Sequence, residues 1–428
     1  MFTPPRRDQL PAYLQAEFPF PPFYPLDLAT EVAGPLADPV ATLLGQLEQH
    51  LTKLPLAGKR VGIALGSRGI DHLPQLAKAL VEWLKAKGAT PVILPAMGSH
   101  GGGRAEGQKS LLEALGLGEA ALGAAIDCRM ETQEITNPQG ARLPFSQAAL
   151  EMDHLILLNR IKPHTKFQGA LASGLAKMLV VGLGKDLGAK ALHQAVFSRP
   201  FVPLLQEAAG HLAQVTPFLG GVGLVENAQG KLSSLQWVQG PTWLEQETAL
   251  LAQAEAALPR LPFQKLDFLL LAEIGKEISG SGMDPNVTGR AGDLGEGDFS
   301  SYLQAKRIGL WRLSQKSQGN GLGLGWADFI TNDLFQGLDY PVLAFNALTG
   351  LSLNKAKIPV VLPDEEVVLR ACFLSLGLAN PQEAKGVIAK NTKDLNRIWV
   401  SEALAREQGL TGEPLKKLFD PAGRALLW

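Results

Sequence analysis

At 428 residues the chain exceeds what one hydrophobic core usually holds, so two domains of about 100–250 residues each are expected. Its 40 basic and 41 acidic side chains nearly cancel, which excludes a nucleic-acid or anionic-membrane binder driven by net charge and makes any anion recognition local. Cys128 and Cys372 are the two cysteines; they supply neither a disulfide framework nor a thiolate metal cage and read as buried small hydrophobes.

The opening MFTPPRRDQLPAY has no apolar run after its basic pair, so it does not read as a signal peptide. The longest apolar stretches stop well short of a membrane span, and a soluble cytoplasmic protein is expected. The first fifty or so residues are Pro-rich and irregular. Regular alternation begins near residue 60: VGIALG (Val61–Gly66) reads as a buried strand, then Ser67–Asp71 as a loop. A helix follows from about His72 to Lys87, with Leu73, Leu76, Leu80 and Leu84 at helical spacing and Gly88 as its stop. TPVILPAM (Thr90–Met97) is a second strand, followed by GSHGGGR and a helix from near Ala105. HLILLNRI (His154–Ile161) is a third, followed by KPHTKFQG and a long helical run from Ser173.

A helix over Pro241–Leu258 closes this block. LDFLLLAEI (Leu266–Ile274) then reads as a central parallel strand. Beyond a glycine-rich loop come a strand near Arg307–Ser314, a helix near Trp326–Leu338, and strands near Pro341–Phe345 and Ile358–Leu362. Helices near Glu365–Leu376 and Val400–Gln408 complete the pattern. The fold class that follows is α/β, with two Rossmann-like parallel-sheet domains and the active site in the cleft between them. Residues 1–260 form the larger N-terminal domain, onto which 371–428 pack back, and 261–370 form the smaller one.

Open α/β sheets bind ligands beyond the carboxyl ends of their strands, so the post-strand loops are where chemistry is sought. The first carries Ser67 and Arg68, the second Ser99, His100 and Arg104, and the third Arg160, Lys162, His164 and Lys166. A fourth, in the second domain, carries Lys276, Ser279, Ser281, Asp284, Asn286 and Arg290. Arg and Lys so placed suit carboxylate or phosphate. His100, flanked by glycines at a strand end, suits acid–base work. His164 follows Pro163, and the like charges of Lys162 and Lys166 would keep it neutral. Lys177, in the apolar run SGLAKMLVVGLGK, is either a lysine snorkelling at a helix edge or an amine made reactive by burial. His193 lies sixteen residues further on and reads by itself as a partly buried structural histidine; His50, His72, His154 and His211 read as structural or surface. The sequence lacks H-E-x-x-H, a phosphate-binding Walker loop, and a Gly-x-Ser-x-Gly elbow, and GSHGGG lacks dinucleotide-fingerprint spacing.

In order, AMGSHGGGRAEGQ, NRIKPHTKFQGALASGLAKMLVVGLGK and KALH resemble the catalytic domain of the nickel-pincer lactate racemase family, and GKEISGSGMDPNVTGR resembles the second domain of its shorter members. The likeness spans most of residues 60 to 370. It implies an isomerase, a racemase or epimerase of a 2-hydroxy carboxylic acid. It also implies a nickel pincer nucleotide (pyridinium-3-thioamide-5-thiocarboxylic acid mononucleotide) holding Ni(II), for which soft sulfur donors and an imidazole suit a square-planar ion. By motif position Lys177 is its covalent attachment, His193 the nickel ligand, and His100 and His164 the acid–base pair. Ser67, Arg68 and Lys276 would bind cofactor, and Arg68 and Lys276 the substrate. The implied partners are the substrate and, transiently, cofactor-synthesis enzymes, with no nucleic acid or membrane; a homodimer stays open. The chain departs from the family in placing Lys177 thirteen residues after His164, Leu65, Gly66 and Ser67 before the first-loop arginine, and small residues in SGSG. These point to a roomier pocket, such as one for a sugar acid. Two other readings stand beside this one. One is a hydrolase or isomerase with a divalent metal held by His100, His164 and His193, and the other a non-catalytic binder of an anionic metabolite.

Overall fold

A computed structural model describes residues 3–28, 33–293 and 297–427, with the side chain of His193 outside that description. The chain forms two α/β units. One comprises Val32–Leu258, and the other is assembled from Met1–Glu31 and Pro259–Trp428. The expected α/β class is observed, with a parallel-dominated sheet in each unit. Among the described residues no helix is long and apolar enough to cross a membrane.

The strands in chain order begin with β1 (Phe23–Asp27), which belongs to the outer unit. The inserted unit then supplies β2 (Arg60–Leu65), β3 (Thr90–Pro95), β4 (Ala125–Ile126), a hairpin of β5 (Thr132–Thr136) and β6 (Arg142–Ser146), β7 (His154–Arg160), β8 (Phe218–Glu226) and β9 (Leu232–Val238). Its six-stranded sheet has the order β4-β3-β2-β7-β8-β9, parallel except for the last pair. Val61, Ile63, Ala64 and Leu65 of β2 and Leu155–Leu158 of β7 are buried, as continuous apolar strands covered on both faces should be. Alternate residues feed opposite cores. Ile63 and Leu65 join the core under the helix Leu73–Ala86, whereas Ala64, Leu155 and Leu157 join the core with Leu175, Leu179 and Leu205.

The outer unit contributes β10 (Lys265–Ile274), β11 (Gln304–Leu313), β12 (Phe329–Thr331), β13 (Val360–Leu362), β14 (Gly386–Ala389) and β15 (Arg397–Ser401). The sheet order is β1-β15-β14-β10-β11-β12-β13, with β1/β15 and β15/β14 antiparallel and the rest parallel.

Three local expectations are corrected. Residues 371–428 belong to the outer unit rather than to the first domain, because β14 extends the second sheet beside β10 and β15 follows it. This long-range pairing leaves no local sequence trace. The segment Pro341–Phe345 is helical, within Tyr340–Thr349, because Asp339 accepts from the Val342 N–H and Pro341 occupies the first turn. The helix expected over Trp326–Leu338 is a strand, β12, followed by a short helix Asn332–Gln336 capped by Thr331. Cys372 is buried as expected, but Cys128 is only partly so.

Candidate active site

In the inserted unit the chain runs outward from β2 through β3 to β4, and then from β7 outward through β8 to β9. The order therefore reverses between β2 and β7. At such a switch point the loops leaving neighbouring strands diverge and open a crevice at the carboxyl end of the sheet. Ser67 and Arg68 leave β2, Lys162 and His164 leave β7, and His100 leaves β3. One unit thus brings together the sequence-predicted residues of three loops.

The long helix expected from Ser173 is interrupted. Leu175–Lys177 forms one turn, Met178–Gly182 widens into a π-type turn, and a new helix spans Lys185–Ala195. Gly182 must lie close to the strand end, where an added Cβ would meet Ala96 O at 2.6 Å. This close approach sets the break, and π-type turns recur at functional sites. Lys177 is the last residue before it.

Lys177 Nζ lies 2.6 Å from His164 Nε2. The other ring nitrogen of His164, Nδ1, accepts from the backbone N–H groups of Lys166 at 3.0 Å and Phe167 at 3.3 Å. With Nδ1 occupied as an acceptor, a neutral His164 carries its proton on Nε2. That N–H can bond Lys177 only if the amine offers a lone pair, which a protonated ammonium lacks. The geometry therefore fits an uncharged Lys177. Electrostatics agrees: Lys177 keeps partial solvent access, yet protein crowds it, and desolvation followed by the like charges of Lys162 and Arg68 lowers its pKa to about 8. The His164 ring stacks on Phe167 at 4.9 Å between centroids, and Phe167 stacks on Phe201 at 4.2 Å. These aromatic contacts fix the direction of the imidazole.

Glu247, which no motif singles out, is a carboxylate on the helix Trp243–Ala256 that reaches beneath this turn. Its Oε2 accepts from the Ala176 N–H at 2.8 Å, and the Leu175 N–H also bonds the carboxylate. Gly174 leaves room for it, since a Cβ there would lie 2.0 Å from Glu247 Oε1. Burial pushes Glu247 up to about 7 against the opposing pull of those two N–H groups. Asn159 adds a bond from Nδ2 to Gly174 O at 3.0 Å. Carboxylate and amide together hold the segment entering Lys177.

His100 is exposed, and its Nδ1 is hydrogen-bonded to the Ser67 hydroxyl, joining the loops after β2 and β3. The buried Gln108 amide donates to Gly98 O at 2.8 Å and His100 O at 3.3 Å, fixing the backbone of the His100 loop. Gly101 has φ +67°, and a Cβ on it would meet Gly107 C at 2.5 Å, so both conformation and space require glycine there.

The cations divide into two groups. Arg160 is ion-paired with Glu226, whose other oxygen accepts from the Asp71 N–H at 2.8 Å. Lys166 is buried, with its ammonium 5.7 Å from the Phe167 ring centroid. Arg68 is exposed, its pKa lowered by local crowding and then by Arg160, and with Lys162 it stands near enough to Lys177 to shift its titration. Lys162, one of the two lysines flanking His164, thus also acts on Lys177. In the fourth loop Asp284 accepts from the Asn286 N–H and Arg290 pairs with Asp328 at 2.6 Å, so these residues brace the outer unit internally. Lys276 follows β10 in that unit and is partly buried. His193 lies in the helix Lys185–Ala195, and its side chain falls outside the described residues. Among the described residues no three His, Cys, Asp or Glu side chains cluster as a metal site.

The family described as a domain of unknown function (DUF362) matches residues 64–232, from within β2 to the first residue of β9. That span contains Ser67, Arg68, His100, His164, Lys177 and His193. No curated protein matches the chain. Among solved structures, the lactate racemase apoprotein from Thermoanaerobacterium thermosaccharolyticum is similar at 13% identity and a TM-score of 0.44, over 77% of this chain and 91% of that one. The likeness is too distant to bear on chemistry.

Proposed function

We propose that the carboxyl end of the sheet at the switch point between β2 and β7 is the active site of a racemase or epimerase acting on a 2-hydroxy carboxylate, with Lys177 as the covalent anchor of a nickel pincer nucleotide. The observation that carries this reading is the Lys177–His164 pair, an amine 2.6 Å from an oriented imidazole and lowered in pKa toward its neutral, nucleophilic form. Forming a thioamide needs such a nucleophilic amine, and an ordinary ammonium would not serve.

The residues present fit the group in two respects. Lys177 supplies the amine, with a pKa lowered to about 8 and partial access. Arg68 and Lys162 supply positive charge near it, as a nucleotide phosphate or a substrate carboxylate requires. His193 is the proposed nickel donor, and Ser67 is a proposed further contact to the cofactor. When bound, the group would take hydride from the 2-carbon of the substrate and return it. His100 and His164 would exchange the hydroxyl proton. His164 presents an N–H at Nε2, while the Ser67 hydroxyl fixes the His100 ring through Nδ1. Arg68 would orient the carboxylate.

Intact-mass measurement of the chain co-expressed with pincer-synthesis enzymes and nickel tests this. An adduct that maps to Lys177, is lost in Lys177→Ala, and accompanies interconversion of 2-hydroxy acid enantiomers or epimers is the expected result. An unmodified chain from cells that fully load a known racemase would overturn it.

A further inference from the structure

The helix Tyr340–Thr349 has apolar side chains on all sides. Leu343 and Ala347 point into the core of the outer unit. An adjoining arc carries Tyr340, Phe345 and Leu348, exposed by 58%, 66% and 56%. At 100° per residue these three fall within one arc together with Pro341 and Ala344. A helix apolar all round is normally covered on both faces. The exposed surface continues along the chain through Leu353 to Val360, where β13 begins. Among the described residues, seven of the twelve exposed large apolar side chains lie between Tyr340 and Val360.

At the size of such side chains this exposure is on the order of 700 Å², more than the roughly 300–600 Å² of the largest patch on a typical monomer. It approaches the roughly 800 Å² that each partner buries in a standard stable interface. Charge narrows the choice of occupant. The stretch contains no acid, and of its two lysines Lys355 is buried with its ammonium 4.7 Å from the Trp326 ring centroid, leaving Lys357 as its exposed charge. A two-fold contact of this face with itself would therefore bring together apolar arcs with little like-charge repulsion. A membrane-surface helix would instead be flanked by basic residues. β13 lies at the end of its sheet and pairs with β12 alone among the described strands, so the exposed stretch leads along the chain into an open strand edge. Such an edge is a template for a further strand.

We infer that the helix Tyr340–Thr349 and the adjoining edge of β13 form a homodimer interface, occupied by the same surface of a second copy of this chain.

Sedimentation equilibrium of the full chain over a wide concentration range tests the inference. The wild type should show twice the chain mass, and the double variant Phe345→Glu, Leu348→Glu should return to the monomer mass with an unchanged circular dichroism spectrum. A wild type monomeric at every concentration overturns the inference, as does a dimer that survives in the folded double variant. Should the variant not fold, amide exchange of the wild type decides. Protection across residues 340–362 that rises with protein concentration supports the interface, and equal protection in dilute and concentrated samples overturns it.

Discussion

Glu247 Oε2 sits 2.8 Å from the backbone nitrogen of Ala176, one residue before Lys177. A carboxylate from a helix some seventy residues away thus closes the amino end of the turn that presents the amine. Both groups are shifted toward neutrality by burial, Glu247 up to about 7 and Lys177 down to about 8. The site therefore tolerates desolvation by holding two ionisable groups near their uncharged forms.

The Glu247 shift has a signed consequence for stability. Between its ordinary value of 4.5 and about 7 the folded protein keeps a proton that the unfolded chain has released. The associated stability is full below the lower value and is lost as pH rises through the upper one, a change of about 3 kcal/mol at most. Glu247→Gln keeps an acceptor and cannot ionise. Urea denaturation should show the variant gaining on the wild type between pH 5 and pH 8. An equal difference at both pH values would contradict the assignment.

Lys177 has the opposite relation. From about 8 to 10.5 the unfolded chain holds the proton that the folded protein has lost, so wild-type stability rises with pH across that window. At pH 7 the buried amine costs the fold about 1–3 kcal/mol. Lys177→Met should therefore raise the thermal midpoint at pH 7, with the gap closing toward pH 10.5. A lower midpoint at pH 7 would count against a strained, functional amine.

The same shift predicts reactivity. At pH 7 an amine with a pKa near 8 has a neutral fraction on the order of a hundredfold above that of an ordinary lysine. Limited acylation followed by peptide mapping should place the earliest modification on Lys177, with a rate that levels off above pH 8. Modification spread evenly over surface lysines would remove the basis for the anchor.

Aromatic packing behind His164 should matter to both fold and site. Phe201 is 5% exposed and lies flat on Phe167, so Phe201→Ala should cost about 3–5 kcal/mol. Relaxing the stack should also loosen His164 and shift the pH at which Lys177 acylates. A folded variant with an unchanged Lys177 profile would show that the stack does not position the imidazole.

Gly101→Ala tests the His100 loop. The substitution meets a backbone at 2.5 Å in a left-handed conformation, and a destabilisation of at least about 2 kcal/mol is expected in chemical denaturation. A cost below a few tenths would mean that the loop moves freely.

Much of the inserted unit was legible because β2, β3 and β7 are continuous apolar runs that end where ionisable residues begin. That boundary marks the carboxyl edge of a parallel sheet, and it placed Ser67, Arg68, His100 and His164 in the loops that leave β2, β3 and β7, as the structure has them. The break after Lys177 was not legible. Its cause is a backbone approach between Gly182 and Ala96, a contact set by packing rather than by local preference. Glu247 looked like any acid on an exposed helix face, and only its lack of solvent distinguishes it. The run YPVLAF was ambiguous because a short apolar stretch fits strand or helix equally, and the Asp339 cap with Pro341 in the first turn was the available signal.

The outer sheet draws β1 from before the inserted unit and β14 and β15 from well after it. During synthesis, residues 60–258 can emerge and acquire their own core while the strands of the outer sheet are still being made. The half of the protein that contains Lys177 and His164 is thus able to mature first, and the half that brings Lys276 must wait for residues 386–401. A chain interrupted in that last stretch should yield an ordered crevice attached to an unfinished sheet.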